Sequence, residues 1–304
     1  MPVFDRILCP IDFSETSSRA VTYADACAAW YHAELTLEHV YLPMTVGVPG
    51  LPEVVEQVSD DEQARITAEA RRFAMEAGCA APGPAVVVDC GRPADEIAAR
   101  VQRDRPNLLV IGTHGTSGFR HLVLGSVTEK VLRQVACPVL TVPPHVRLPA
   151  APLPFRRIVC AVDFSEWSLA ALDLAAQLAA PVDATLIAVH AIEWPWPEPP
   201  APDFEHLPAP QAEALREYRR TATENATGRL AAAVQGVVAR RTNVESLVEH
   251  GKGYERILAV ARDRAADLIV LGVHGRSTLD VALFGSTANQ VVRHADCPVL
   301  TVKR

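Results

Sequence analysis

Three glycines and one serine recur at identical offsets in two stretches of this 304-residue sequence. The stretches are GTHGTSGFRHLVLGS at 112–126 and GVHGRSTLDVALFGS at 272–286. Both read Gly, two residues, Gly, nine residues, Gly-Ser, although most of the intervening residues differ. With 16 glycines in the chain, three at this spacing are expected by chance at roughly one starting position in several thousand. The recurrence therefore indicates a shared physical requirement.

Phosphate binding is the chemistry that this pattern favours. The last glycine and the serine of each stretch are predicted to open a helix, whose unpaired N–H groups and positive dipole end attract a phosphate. A serine hydroxyl adds a further hydrogen bond. These residues are Gly125, Ser126, Gly285 and Ser286. Turn glycines and a serine helix cap are the alternative interpretation, but duplication with divergent intervening residues favours a phosphate site.

The first two glycines of each stretch are predicted to form a tight turn after a strand. Glycine lacks a side chain, so we expect the turn to leave room for a ribose. The residues concerned are Gly112, Gly115, Gly272 and Gly275.

Composition and charge restrict the partners and the compartment. A net charge of −7 and a pI near 5.8 argue against nucleic acid or a membrane surface, because both attract clustered Lys and Arg. Neither a secretory signal nor a run of about 18 apolar residues occurs. Seven cysteines, an odd number without a C-x-x-C pair, fit a reducing compartment. We therefore predict a cytoplasmic protein.

The glycine stretches belong to a larger internal repeat. RILCPIDFSE at 6–15 returns as RIVCAVDFSE at 157–166, and CPVLTV ends both copies. A proline- and alanine-rich segment between the copies suits an extended linker. We predict two domains, at 1–146 and 155–304.

Strands and helices alternate within each copy. In the first copy the pattern predicts strands at 6–12, 34–41, 85–90, 108–113 and 138–142, and helices at 14–32, about 53–78, 93–104 and 125–136. Apolar runs such as NLLVIG lack polar alternation, as strands covered on both faces do. Each domain is therefore predicted to be α/β, with a doubly wound five-stranded parallel sheet in the order 3-2-1-4-5.

That strand order predicts where a ligand binds. Ligands of open parallel sheets lie beyond the carboxyl ends of the strands, where the winding direction reverses. The reversal falls between the first strand, ending at Asp12 or Asp163, and the fourth, ending at Gly112 or Gly272. The glycine stretches therefore begin at the predicted crevice.

With these motifs the chain resembles the universal stress protein family in its tandem form, over nearly all its residues. The nucleotide-binding branch of that family carries Gly-x2-Gly-x9-Gly-Ser/Thr, which both stretches match. The resemblance implies an ATP-binding stress-response regulatory protein, with Mg²⁺ or Mn²⁺ bridging the phosphate oxygens. The metal ligands on the protein are unknown.

The resemblance also implies roles for individual residues in both copies. Hydrogen bonds to the adenosine are implied for Asp12 and Asp163, and the site includes Pro10 and Ala161 nearby. Val40 and Ala191 border the adenine, and Ile111 and Leu271 pack on the base. The phosphates are wrapped by Gly115, Gly125, Ser126, Val127 and Thr128 in the first copy and by Gly275, Gly285, Ser286 and Thr287 in the second.

Some alternatives remain open. Each aspartate could instead, or in addition, cap the helix that begins at the following FSE. His39 and His190 match between the copies, and a packing role is favoured over metal binding because no H-x3-H pair occurs. A slow ATP-hydrolysing enzyme needs a base or a water-positioning residue, and we assign no catalytic residue. A structural adaptor that no longer binds nucleotide is the remaining class, although neither copy has lost a glycine.

The repeated CPVLTV predicts an intramolecular pseudo-dimer. Both domains end in this strand, whose unpaired backbone needs a partner, and single-domain members of the family pair through it. A homodimer of tandem chains and an unidentified protein partner remain open.

The two sites are predicted to differ in affinity. Arg120 of the first loop stands where the second has Asp280, and Thr128 stands where the second copy has Ala288. A carboxylate repels phosphate, and a lost hydrogen bond to a charged group weakens binding. Arg276 offsets part of this difference, but we expect the first site to bind the triphosphate more tightly.

Overall fold

The computed structural model of the chain describes residues 3–42, 45–46, 54–55, 59–80, 83–115, 124–148, 155–193, 208–238, 243–273 and 284–303. It divides into two compact units. Unit 1 comprises Met1–Pro154, Ala282–Phe284 and Ala295–Arg304, and unit 2 comprises Phe155–Val281 and Gly285–His294. None of the described helices has the length and apolar character needed to cross a membrane.

Unit 1 contains a doubly wound sheet built from the first repeat. Its strands are β1 (Arg6–Ile11), β2 (Glu34–Tyr41), β3 (Thr45–Val46), β4 (Val54–Val55), β5 (Ala85–Cys90), β6 (Leu108–Gly112) and β7 (Val139–Val142), and its helices are α1 (Glu15–Tyr31), α2 (Asp60–Glu76), α3 (Pro93–Asp104) and α4 (Ser126–Gln134). The order β5-β2-β1-β6-β7 is parallel throughout. This is the predicted order 3-2-1-4-5, and every residue of β6 is buried.

Unit 2 repeats the first four strands of this arrangement. Its elements are β8 (Arg157–Ala161), α5 (Glu166–Ala179), β9 (Thr185–Ile192), α6 (Ala209–Val238), β10 (Asn243–His250), α7 (Gly253–Asp263), β11 (Leu268–Gly272) and α8 (Ser286–His294). The order β10-β9-β8-β11 is again parallel. The repeat seen in the sequence is therefore a repeat of structure.

The last strand, β12 (Val299–Val302), belongs to unit 1, where it pairs antiparallel with β7. Two buried threonines reinforce this pair. The Thr141 hydroxyl donates to the Val299 carbonyl at 3.1 Å, and the Thr301 hydroxyl donates to the Val139 carbonyl at 3.2 Å. The prediction that the two copies of CPVLTV pair with each other is confirmed.

One predicted helix begins later than expected. The helix expected from about residue 53 begins at Asp60, after Ser59, whose hydroxyl accepts from the Glu62 amide at 3.3 Å. Three acidic residues follow in its first turn. Their negative charges stabilise the helix by interacting with the positive end of its dipole. Residues 54–55 instead pair antiparallel with residues 45–46.

We expect Thr141→Val and Thr301→Val each to lower the free energy of unfolding by about 1 kcal/mol, because each removes a buried hydrogen bond. Denaturant titration followed by circular dichroism measures this change. Thr36→Val in β2 is the matched control, since Thr36 is a strand threonine that is only half-buried, and it should change stability by less than about 0.5 kcal/mol. Equal effects of the three substitutions would show that the threonine pair does not reinforce β7 and β12.

Candidate functional site

A cavity of about 250 Å³ lies at the carboxyl ends of β1, β2 and β6 in unit 1. All ten residues predicted for the first site line it: Pro10, Asp12, Val40, Ile111, Gly112, Gly115, Gly125, Ser126, Val127 and Thr128. The lining also includes residues that sequence reasoning did not assign to the site: Ile11, Ser17, Glu38, His39, Pro93, Ile97 and His114. The ten predicted residues thus lie together at the expected strand ends. Further residues of β2 and α3 form one wall of the cavity.

The N-terminus of α4 faces this cavity without a side-chain cap. In α1, by contrast, the Ser14 hydroxyl accepts from the Ser17 amide at 3.1 Å. The residue before α4 is Gly125, and no described side chain bonds to its first turn as a cap. Gly125 donates its own N–H to the Thr113 carbonyl at 2.8 Å, which holds the helix start against the end of β6. The first amides of α4 are therefore suited to an anion.

Thr128, predicted to contact phosphate, uses its hydroxyl within the protein. The side chain is 4% exposed, and the hydroxyl donates to the Gly112 carbonyl at 2.7 Å. Its proton thus ties α4 to the end of β6, although its backbone N–H belongs to the same helix start. The second repeat has buried Ala288 at this position. The difference between the repeats here lies in how the helix is anchored.

The aspartates at the ends of the first strands support the helix caps rather than acting as caps. One Asp12 oxygen accepts from the Ser14 amide at 3.1 Å. One Asp163 oxygen accepts from the Ser165 amide at 3.0 Å, and Ser165 is the N-cap residue of α5. The N-cap residues are thus Ser14 and Ser165, and each aspartate contributes to the helix start by accepting from the N-cap amide.

A strained residue follows each aspartate. Phe13 has φ of 61° and Phe164 has φ of 65°, values that bulky residues rarely adopt. The Phe13 ring packs on His39 with centroids 4.7 Å apart, and Phe164 packs on His190 at 4.4 Å. Packing holds the same sharp turn in both repeats.

The matched histidines anchor strand ends. His39 Nδ1 donates to the Ile11 carbonyl at 3.0 Å, and His190 Nδ1 donates to the Val162 carbonyl at 2.7 Å. Because a carbonyl only accepts, each Nδ1 carries the proton. Across the described residues, no group of three or more His, Cys, Asp or Glu side chains is arranged to hold a metal ion. These contacts agree with the packing interpretation.

The first glycine of each stretch is required by helix packing. A Cβ on Gly112 would lie 2.8 Å from Thr16 Cγ2 and 3.3 Å from the Thr16 backbone. A Cβ on Gly272 would lie 2.8 Å from the backbone carbon of Trp167. At these two positions the missing side chain lets α1 and α5 pack closely on the strand end, and Gly112 also lines the cavity.

The second glycine of the first stretch has a different surrounding. A Cβ on Gly115 would lie 2.6 Å from Asp12 Oδ2, and both residues line the cavity. Because Gly115 has no side chain, its backbone can lie close to the Asp12 carboxylate in the cavity.

The predicted residues of the second repeat occupy corresponding positions in unit 2. Ala161 and Asp163 stand at the end of β8, Ala191 in β9, Leu271 and Gly272 at the end of β11, and Gly285, Ser286 and Thr287 at the start of α8. Gly285 donates its N–H to the Val273 carbonyl at 2.9 Å, as Gly125 does to Thr113. Gly275 lies outside the described residues, as do Arg120, Arg276 and Asp280.

Glu38 is the unexpected member of the first site. It lies in the cavity wall with 0% exposure, and neither carboxyl oxygen receives a hydrogen bond from a described donor. Burial first, then the charge of the neighbouring Asp89 carboxylate and a side-chain hydrogen bond between Glu38 and Asp89, raise the pKa of Glu38 from 4.5 to about 8. At neutral pH the side chain is an uncharged acid.

Arg100, the cation that acts on Glu38, is engaged by other carboxylates. Arg100 Nε donates to Asp89 Oδ2 at 3.0 Å, and an Arg100 terminal nitrogen donates to Asp104 at 3.2 Å. Arg100 lowers the pKa of Glu38 less than burial and Asp89 raise it. In the second repeat, the register of β8 and β9 puts Val189 where Glu38 stands.

Both repeats of the chain are similar to known proteins. The profile described as "Universal stress protein family" matches residues 4–143 and 154–303. Universal stress protein Rv2623 of Mycobacterium tuberculosis is 26% identical, with 98% of this chain and 96% of that protein covered. Universal stress protein YxiE of Bacillus subtilis is 32% identical over 46% of this chain and 99% of its own length.

Among solved structures, a universal stress protein from Archaeoglobus fulgidus matches with a TM-score of 0.68. That alignment covers 99% of this chain and 96% of the other, at 22% identity. The likeness establishes the fold.

We expect Gly112→Ala and Gly272→Ala to lower the free energy of unfolding by about 1–3 kcal/mol, because each added methyl overlaps a helix. Thermal and denaturant unfolding measure this. Gly228→Ala is the matched control, since Gly228 lies in α6 with nothing within 4 Å of an added Cβ. It should raise stability by about 0.5–1 kcal/mol through helix propensity. Tolerance of alanine at Gly112 would contradict the packing requirement.

Proposed function

Since this chain belongs to the universal stress protein family, we propose that it is a stress-response regulatory protein that binds an adenine nucleotide, ATP foremost. One observation carries the proposal. A single cavity at the carboxyl ends of parallel strands is lined both by the N-terminus of α4, which no described side chain caps, and by apolar residues of neighbouring strands. Such a crevice suits a ligand with an anionic end and an apolar end.

In this proposal the two ends of the cavity divide the nucleotide between them. The amides that open α4 bind the phosphates. The Asp12 carboxylate, beside Gly115, accepts hydrogen bonds from the sugar hydroxyls. Val40 and Ile111 provide apolar surface for the base. The phosphates, the sugar and the base of the nucleotide would then each contact protein groups of complementary chemistry.

A divalent cation is proposed to bind through the nucleotide. The described residues contain no cluster of metal-ligating side chains, so Mg²⁺ or Mn²⁺ would be held by phosphate oxygens and water. When bound, the ion neutralises phosphate charge. The protein contributes the helix terminus and the shape of the cavity.

Nucleotide binding is testable on the purified chain. We expect denatured protein to release adenine nucleotide, and nucleotide-free protein to be stabilised by about 2.7 kcal/mol when ATP with Mg²⁺ is present at a hundredfold excess over its dissociation constant. The unfolding temperature should rise by several degrees. No shift with millimolar ATP would contradict the proposal. Continued release of inorganic phosphate from ATP, followed over hours, would favour the enzyme alternative.

The Gly115→Val substitution tests the location of the first site. Its Cβ would stand 2.6 Å from Asp12 Oδ2, so we expect affinity for ATP at this site to fall by about tenfold or more, which corresponds to about 1.4 kcal/mol. Isothermal titration calorimetry measures the change. Gly236→Val, in α6 with nothing within 4 Å of its Cβ, should bind as the parent protein does.

The order of the two sites can be measured with Gly115→Val and Gly275→Val, each intended to block one of the two sites sterically. We expect the chain that keeps the first site to bind ATP more tightly, because Thr128 anchors α4 through a hydrogen bond that Ala288 cannot make. Equal affinities, or tighter binding by the Gly115 variant, would show that the ranking is wrong.

A further inference from the structure

In unit 2, a carboxylate of the chain itself lies among residues that correspond to the lining of the first cavity. Glu193 directly follows β9, and its Oε1 accepts from the Gly253 amide. Gly253 is buried and is the first residue of α7. The N-cap residue of α7, Lys252, makes no side-chain cap bond. Glu193 therefore supplies an acceptor for this helix start.

The two residues beside this carboxylate have counterparts in the first cavity. Gly253, the first residue of α7, corresponds to Pro93 in α3. Thr287, the second residue of α8, corresponds to Val127 in α4. Pro93 and Val127 both line the first cavity. An atom at the Cβ position of Gly253 would have Glu193 Oε1 at 2.9 Å and Thr287 Cγ2 at 3.7 Å. The carboxylate therefore lies beside the start of α8 as well as that of α7.

At the matching positions the first repeat has an apolar pair. The residue after β2 is Leu42, a hydrocarbon side chain, and α3 begins with Pro93, whose nitrogen carries no hydrogen to donate. In the second repeat an acid replaces the leucine and a glycine replaces the proline. A side chain at Gly253 would overlap the carboxylate of Glu193. Because both changes are needed for the contact, it is a feature of the second site and not of the shared fold.

The charge of Glu193 bears on the phosphates of a bound ligand. In the proposed function, the amides that open α8 would bind phosphate as those of α4 do, and charges of like sign repel at this range. The cation at the start of α7 is directed at another carboxylate, since Lys252 Nζ lies 3.4 Å from Glu255 Oε1. Glu193 is exposed, so water screens its charge and we expect a moderate effect.

We propose that Glu193 is a built-in anion of the second nucleotide site, which competes with the phosphates of a ligand and makes this site discriminate against ATP in favour of an adenine nucleotide with a single phosphate. The inference rests on the proposed nucleotide function. It goes beyond that function by naming the residue that sets how many phosphate charges the second site accepts. The first site, with Leu42 at this position, lacks this selection.

The test titrates ATP and AMP into the full chain carrying Gly115→Val, so that the second site alone is measured. EDTA is present so that no divalent ion joins the carboxylate to a phosphate. Glu193→Gln keeps an oxygen acceptor for the Gly253 amide but removes the charge. We expect it to raise the affinity for ATP by roughly three- to tenfold and that for AMP by less than about twofold. Glu193→Leu, which copies the first repeat, should also favour ATP.

Glu245→Gln is the matched control for the loss of one negative charge. Glu245 lies toward the amino end of β10, whereas the site is at the carboxyl ends of the strands, and it pairs with Arg264 at 2.9 Å. This variant should bind ATP as the Gly115→Val chain does. Raising the NaCl concentration from about 0.1 M to about 1 M shortens the Debye length from about 10 Å to about 3 Å. The advantage of Glu193→Gln for ATP should then disappear.

The outcomes separate this inference from the proposed function. If Glu193→Gln leaves the ATP affinity unchanged, or raises the affinities for ATP and AMP equally, Glu193 only caps α7 and the inference is wrong, although nucleotide binding stands. A lower ATP affinity would show that Glu193 helps to bind the ligand, which also overturns the inference. So would binding that is confined to the first site in every variant. If the parent chain binds neither nucleotide, the proposed function fails and the inference falls with it.

Discussion

The close approach of each fourth strand to the first turn of the first helix is the constraint on which the site depends. Gly112 and Gly272 end these strands, and a Cβ on either would overlap the helix beside it. Each helix begins a few residues after the first strand ends, so this contact sets the distance between the ends of the first and fourth strands. In unit 1, the position of Asp12 relative to the glycine turn follows from it.

Around this contact, polar side chains of the first repeat are used to fix backbone ends. The hydroxyl of Thr128 holds the end of β6, the ring of His39 holds the end of β1, and Asp12 holds the start of α1. Rigid strand ends keep the cavity shaped before any ligand arrives. Glu38 differs from these residues because its partner is another side chain, the Asp89 carboxylate, and not a backbone end.

The sequence predicts the architecture well because the pattern of each strand and helix occurs in both copies of the repeat, so that each prediction is supported twice. Strand order and motif spacing lead to Asp12, the three glycines and Ser126 at the first cavity, whereas the other five residues around it come from the resemblance to the family. The packing role of Gly112 does not, because it depends on how near α1 lies, which no spacing reveals. Glu38 was missed because one acidic residue in an apolar strand carries no periodic signal; its alignment with Val189 was the available clue. Similarly, Ser59 followed by three acidic residues marked the true start of α2.

The membership of β12 in unit 1 has a consequence for biosynthesis. Thr141 and its partner Val299 are 158 positions apart, so a ribosome makes the rest of the first sheet long before the strand that covers β7. During that interval the VLTV edge of β7 is open to other nascent chains, and an uncovered apolar edge is a template for aggregation. Chaperones that shield strand edges would therefore act on this protein between translation of its first and last strands.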